Sequence, residues 1–152
     1  MKKIILVLSF SFLLWSCGGN ESNIDPEKEK LAIKYGLTPF EYENGVGPIK
    51  QKLNIPSEID RIKAESGKKI FEEKCTQCHK LDERYTGPAL RDVTKRRTPE
   101  YIMNMILNPQ GMTQKHPEAK KLLSEYALQM TFQNVSQEDA RNILEYLRSE
   151  SK

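Results

Sequence analysis

The chain is 152 residues long, with 24 Lys+Arg against 21 Asp+Glu, 38% hydrophobic residues, three cysteines and two histidines. That length suits one domain with accessory segments, and a single long apolar run, at the N-terminus, excludes a multi-span membrane protein. The near-balanced charge argues against nucleic acid as a partner. Three cysteines, two of them only three positions apart, argue against a disulfide-stapled miniprotein.

The chain opens with Met1-Lys2-Lys3 and an apolar run from Ile4 to Leu14. A run of about 11 residues is too short to span a bilayer, which takes roughly 20, but it suits a secretory signal. The run ends in Leu14-Trp15-Ser16-Cys17-Gly18-Gly19, which resembles the lipobox of bacterial lipoproteins, with Trp15 bulkier than the small residue usual at that place. The resemblance implies that residues 1–16 are a signal peptide and that Cys17 is acylated and becomes the N-terminus. The expected location is then the periplasmic side of a bacterial membrane, on a lipid anchor. The polar stretch Gly18-Gly19-Asn20-Glu21-Ser22-Asn23 suits a tether. Without Lys2 and Lys3 the balance is 22 basic against 21 acidic side chains.

Residues 17–63 read as this tether followed by an irregular extension. Asp25-Pro26-Glu27 predicts a short helix, capped by Asp25 and ending near Gly36. From Thr38 to Pro56 the chain is punctuated by Pro39, Gly45, Gly47, Pro48 and Pro56 and shows no clear period, so it is expected as an irregular linker or strap. From about Ile59 the pattern turns helical, and Ile62, Ile70, Phe71 and Cys75 suit a helix crossing Gly67. Thr98-Pro99-Glu100 starts a helix that carries Tyr101, Ile102, Met105 and Ile106 and stops before Asn108-Pro109. His116-Pro117-Glu118 opens another, with Leu122, Leu123 and Tyr126 on one face. Ser136-Gln137-Glu138-Asp139 is a capping box with Asp for the usual Glu, ahead of Ala140, Ile143, Leu144 and Leu147 at i, i+3, i+4 and i+7. Phe71 and Tyr146 are expected to join the first and last of these helices. No segment alternates with period 2, so the fold class is all-α. So few core-grade residues spread over four helices imply that something non-protein completes the core.

Cys75-Thr76-Gln77-Cys78-His79 names the chemistry. Thiols at i and i+3 of one helical turn can add to the two vinyl groups on one edge of a haem, and the adjacent His79 can then bind iron. A structural zinc site wants four Cys/His ligands, and beyond the motif only Cys17 and His116 remain. A thioredoxin-like dithiol needs a βαβ context, which is absent, and a Cys75–Cys78 disulfide would close a strained small ring. One covalent haem c is the expected cofactor.

Residues 64–152 resemble class I c-type cytochromes. Gly67-Lys68-Lys69-Ile70-Phe71 is similar to the family's N-terminal helix, and Gly87-Pro88-Ala89-Leu90 to its Gly-Pro-x-Leu loop. The resemblance implies a small helical fold around one haem, with the Pro88 carbonyl accepting a hydrogen bond from His79. It also implies a methionine as sixth iron ligand shortly before the last helix. Met130-Thr131-Phe132-Gln133-Asn134-Val135-Ser136 fits, with Thr131 and Val135 replacing a frequent Pro and Leu. Met130 is therefore the expected ligand. Met112 in a loop, His116 and an open site stand as alternatives, while Met103 and Met105 are expected in the core. Lys95-Arg96-Arg97 reads as a solvated charge run, with a haem propionate or an acidic partner as the other option. Tyr85, Arg91 and Tyr101 are candidate propionate or loop contacts.

His79 and Met130 together leave no iron position for substrate. The expected function is thus single-electron shuttling between membrane-associated respiratory partners, and not enzymatic catalysis. The alternatives are a five-coordinate haem sensor or peroxidase-like enzyme, or an accessory electron-donor subunit docked on a larger reductase. The set Asn108-Pro109, Met112, Ala119-Lys120, Leu123 and Met130 is similar to cytochrome domains that serve nitrous-oxide reductase, which places that enzyme among the candidate partners.

Overall fold

The computed structural model describes residues 25–152, so the signal-like segment and Cys17 lie outside the described residues. Eight helices follow one another: α1 Pro26–Lys34, α2 Pro39–Asn44, α3 Arg61–Lys74, α4 Val93–Arg96, α5 Pro99–Leu107, α6 Pro109–Lys115, α7 Pro117–Tyr126 and α8 Gln137–Ser149. Among the described residues there is no strand, as an all-α fold requires. None of these helices is long and apolar enough to cross a membrane.

The starts are set by capping side chains. Asp25 accepts from the Glu27 amide ahead of α1, and Thr98 from the Tyr101 amide ahead of α5. Ser136 and Asp139 form the reciprocal box on α8. The short α4 was not expected at all, and two further helices depart from the sequence expectation. Thr38 and Glu41 also make a full capping box, at 3.1 Å in each direction, and start α2 where an irregular segment was expected. Met112 lies in α6 and not in a loop, because Asn108 ends α5 and caps α6 at once, its Oδ1 accepting from the Gly111 amide.

The centre of the molecule is the crossing of α3 and α8. At Gly67 a Cβ would stand 1.9 Å from the Asn142 carbonyl oxygen, so only glycine admits this approach. One turn on, the Phe71 and Tyr146 rings meet at 5.3 Å, the contact expected between first and last helices. Ile143, Leu144 and Leu147 of α8 pack there with Ile102 and Met103 of α5. Each fully buried side chain of this size contributes about 1.5–3 kcal/mol. Ile62, expected on the buried face, is 81% exposed. Ala64, Gly67 and Phe71 define that face at i, i+3 and i+7, and at 100° per residue Ile62 falls opposite them.

The segment after α2 is a strap held down by side chains of the helices beneath it. The Asn104 amide, 0% exposed, accepts from the Ile49 N–H and donates to the carbonyls of Asn44, Gly45 and Ile49. Asn108 donates to the Val46 carbonyl, and the Met112 sulfur accepts from the Val46 amide at 3.0 Å. Glu100 takes the Leu53 amide at 2.7 Å. Further on, Glu145 takes the Asp60 amide, and Arg148 donates to the carbonyls of Pro56 and Ser57. Glu145 is itself 0% exposed and is matched by Arg141 and Arg148, an arrangement a buried carboxylate needs. Backbone polar groups that regular structure would have paired are thus satisfied one by one.

Candidate functional site

α3 runs out at Lys74, and Cys75 caps it with its amide on the Phe71 carbonyl at 2.9 Å. The chain then turns tightly, the amides of Cys78 and His79 both reaching the Cys75 carbonyl. The next loop folds back along this turn: Gly87 N–H donates to Cys78, Leu90 to Lys80 and Arg91 to Leu81. That return brings the Pro88 carbonyl to 3.0 Å from His79 Nδ1. A carbonyl only accepts, so Nδ1 carries the proton and Nε2 keeps its lone pair. Gly87 is required here, since a Cβ would stand 2.5 Å from His79 Cε1.

Cys75, Cys78 and His79 lie on the wall of an apolar cavity of about 330 Å³ between α3, α5, α7 and α8. Ile102, Leu123 and Leu147 are among its apolar walls, and Pro88 and Met130 also line it. Burial pushes the Cys75 thiol up to about 11, so it is protonated at neutral pH. Burial also holds His79 below its ordinary value, against a smaller opposing effect of the Pro88 carbonyl. Both effects favour neutral groups in a dry cavity.

Other sequence candidates are distributed unevenly. Met112 is 0% exposed and packs under the strap with Leu37, Val46 and Tyr101, off the cavity wall. His116 is 2% exposed, with Nε2 on the Tyr42 carbonyl at 3.0 Å and its ring 5.2 Å from that of Tyr101. Neither reaches the group of Cys75, Cys78 and His79. Met105, expected as plain core, lies on the cavity wall and also packs on the cluster of Met112 and Tyr101. Arg91 is bound to Asp82 and Glu150, and Tyr85 is exposed beneath Lys80.

The basic run is not a uniformly solvated face. Lys95 pairs with Asp92 at the surface, but Arg96 and Arg97 reach the cavity wall. Arg96 donates to the Ala89 carbonyl, while Arg97 pairs with Glu118 and lies over the Tyr101 ring. Sequence reading missed Thr113 and Gln129 on the same wall. Nothing in their spacing marks them; only the fold brings α6 beside the chain leaving α7. The apolar face of Leu122, Leu123 and Tyr126 was the legible signal, and it lines the cavity.

The cavity fits a large flat cofactor with polar edges. Its walls are apolar and its thiols are free. The Tyr101 hydroxyl is buried without a hydrogen-bond partner, a donor left for a group the protein does not supply. Two thiols on one rim, beside an imidazole with its lone pair free, define a haem-carrying helical protein of the c type.

The chain belongs to the cytochrome c family: residues 64–151 match the family "Cytochrome c". A solved cytochrome c from Rhodothermus marinus is 51% identical, covering 73% of this chain and 95% of that one, with a TM-score of 0.70. An engineered cytochrome c from the same organism is 50% identical over 73% and 96%, with a TM-score of 0.69. That engineered protein bound to a carbene intermediate matches at 50% identity over 73% and 96%, with a TM-score of 0.67. No curated protein matches significantly. Covalently bound haem c, with its iron, is therefore the cofactor, Cys75 and Cys78 carry the spacing for its attachment, and haem-based electron transfer is the family's work.

Proposed function

We propose that this protein carries single electrons on a haem whose iron His79 and Met130 would hold. It works on the periplasmic face of a bacterial membrane, tethered through an acylated Cys17. Its partners are membrane-associated respiratory proteins, with nitrous-oxide reductase a candidate. The observation that carries the ligand assignment is the company Met130 keeps: it shares a cavity wall with Cys75, Cys78 and His79, whereas hydrogen bonds tie Met112 to the strap and His116 to α2. Met105 reaches the wall from within α5 but is packed into the cluster under the strap.

Bound haem supplies the ferric/ferrous couple. The chain does the rest. The Pro88 carbonyl fixes the His79 tautomer, so that Nε2 is always ready to bind and the ring does not rotate. Burial keeps that ring from taking a proton instead of the metal. The Met130 thioether, a soft donor, favours the reduced state, and Ile102, Leu123 and Leu147 exclude the water that would stabilise extra positive charge. With His79 and Met130 both holding the iron, no position would be left for a substrate, which favours a carrier over a sensor or peroxidase. His116, the one histidine outside the motif, has its Nε2 engaged by Tyr42 and is ill suited to act as a distal base.

The test is spectroscopic. Met130→Ala should abolish the weak far-red ferric band of a methionine–iron bond and admit carbon monoxide at once. Met105→Ala and Met112→Ala should both keep the band. Its survival in Met130→Ala would overturn the ligation. In the same strains Cys17→Ser should move the protein from the membrane to the soluble fraction, and unchanged membrane retention would remove the anchor.

A further inference from the structure

Between α7 and α8 the chain from Leu128 to Val135 forms no helix and no strand. No backbone–backbone hydrogen bond ties any of these residues to the rest of the protein. The proline that the cytochrome resemblance leads one to expect after the methionine is Thr131, so that restraint on φ is missing as well. What fastens the methionine's side of the loop is one amide. Gln129 Oε1 accepts from the Thr113 hydroxyl at 2.8 Å. Its Nε2 donates to the Met130 carbonyl at 3.1 Å and reaches the Pro109 carbonyl at 3.4 Å. Turning the amide over would set its oxygen against two carbonyl oxygens, so this orientation is the satisfied one. Thr113 is buried in α6, its single hydroxyl proton facing Gln129 and the carbonyls of Pro109 and Gln110. Thr113, Gln129 and Met130 all lie on the cavity wall.

We propose that Gln129 and Thr113 form a bracket that holds the Met130 loop against α6 and thereby sets how firmly Met130 stays on the iron. The two are positioning residues, and the inference rests on Met130 being the sixth ligand. Withdrawing Met130 requires residues 128–131 to move off α6, which stretches the Gln129–Thr113 contact. The bracket therefore stabilises the ligated arrangement and not the released one, and only such a difference shifts that equilibrium.

Imidazole added to the haem-loaded full chain measures the difference directly, because it binds ferric iron only by taking the sixth position. Loss of the far-red band follows the exchange. Gln129→Leu and Thr113→Val should each tighten the apparent imidazole Kd about tenfold, equivalent to about 1.4 kcal/mol. The double variant should go no further than either single one, because the pair acts as a unit. Thr113→Ser, which keeps the hydroxyl, should retain the wild-type value. Gln129 is only half-buried, in a loop, so Gln129→Leu carries the test alone should Thr113→Val load haem poorly. Single variants within twofold of wild type, an additive double variant, or a Thr113→Ser that behaves like Val would each overturn the bracket. The two readings fail separately. A far-red band that survives Met130→Ala removes the ligand assignment, whereas a band lost there with wild-type imidazole affinity in Gln129→Leu removes the bracket alone.

Discussion

Two stretches of this molecule lie outside the larger helices, and they are held in opposite ways. The strap over residues 45–60 is secured along its length by side chains from the helices beneath it, the buried Asn104, Met112, Glu100 and Glu145 and the half-buried Asn108 and Arg148, each taking one or more of its backbone groups. The loop over residues 128–135 has the Gln129 bracket, the buried Val135 and little else. The strap begins with glycine at positive φ, Gly45 at 81°. The loop is bounded by Ala127 at φ 52° and contains Asn134 at φ 51°. Irregular backbone becomes rigid where buried polar groups are aimed at it, and remains adjustable where they are not. The framework strap has the firm support, and the loop that carries Met130 is the one left light.

The strongest way to break this contrast is Asn104→Ala. The amide is fully buried and serves one N–H and two carbonyls of the strap and the Asn44 carbonyl at the end of α2, groups that would be left without partners and without water. At about 1–3 kcal/mol for each group left unsatisfied, and with relaxation recovering part, the loss should be about 3–5 kcal/mol. Urea unfolding of the haem-loaded protein measures it, and hydrogen exchange at Ile49 should accelerate with it. A loss below about 1 kcal/mol would show that the strap is held instead by the apolar contacts its Ile49 and Leu53 make with the core.

That Asn104 matters could not be read from the sequence, where it is one polar residue between Met103 and Met105. Helix periodicity and caps revealed α1, α3, α5, α7 and α8, because those signals are local: a cap and its amide are two or three residues apart. The contact of α3 with α8 was legible through Phe71 and Tyr146, whereas the close approach at Gly67 became visible only in the fold. The site was legible where its members are close in sequence, from Cys75 to His79 and on to Pro88. It was obscure where the fold joins distant parts, as in Glu145 with Asp60, or Gln129 with Thr113. α2 was a different kind of miss. Its Thr38–Glu41 box is as local as that of α8, but the glycines and prolines that follow pointed to irregular chain.

A middle-sized effect should come from His116, which bonds the strap side through the Tyr42 carbonyl. Its Nδ1 is buried with no partner, so protonation would place a charged N–H where nothing accepts it. The groups around it are Tyr42 and Tyr101, with Arg97, which opposes a charge there, and Glu118, which favours one. Burial is the largest influence, and it holds the imidazole below its ordinary 6.5. A histidine lowered by folding binds its proton more readily when unfolded, so its contribution is present above pH 6.5 and is lost as pH falls below it. As the pH falls below about 6.5 the unfolding free energy of the haem-loaded protein, read from urea titrations, should decline by at most about 1.4 kcal/mol per pH unit. His116→Gln should flatten that decline. A decline of equal slope in the variant would move its origin to other groups.

The smallest expected change sharpens the contrast from the loop side. Ala127 ends α7 in the left-handed region, its amide on the Leu123 carbonyl at 2.9 Å, a geometry that glycine normally occupies. A non-glycine residue there costs about 1–2 kcal/mol, whereas glycine adds back about 0.4–1 kcal/mol of unfolded-state entropy. Ala127→Gly should therefore stabilise the haem-loaded protein by about 0.5–1 kcal/mol, read as a higher urea midpoint at unchanged m-value. Because the strain sits at the hinge and the bracket lies beyond it, the same variant should leave the apparent imidazole affinity at the iron within about twofold, roughly 0.4 kcal/mol. If relieving φ at Ala127 instead loosens Met130 as much as removing the Gln129 amide does, then the left-handed turn, and not the amide, is what aims the loop.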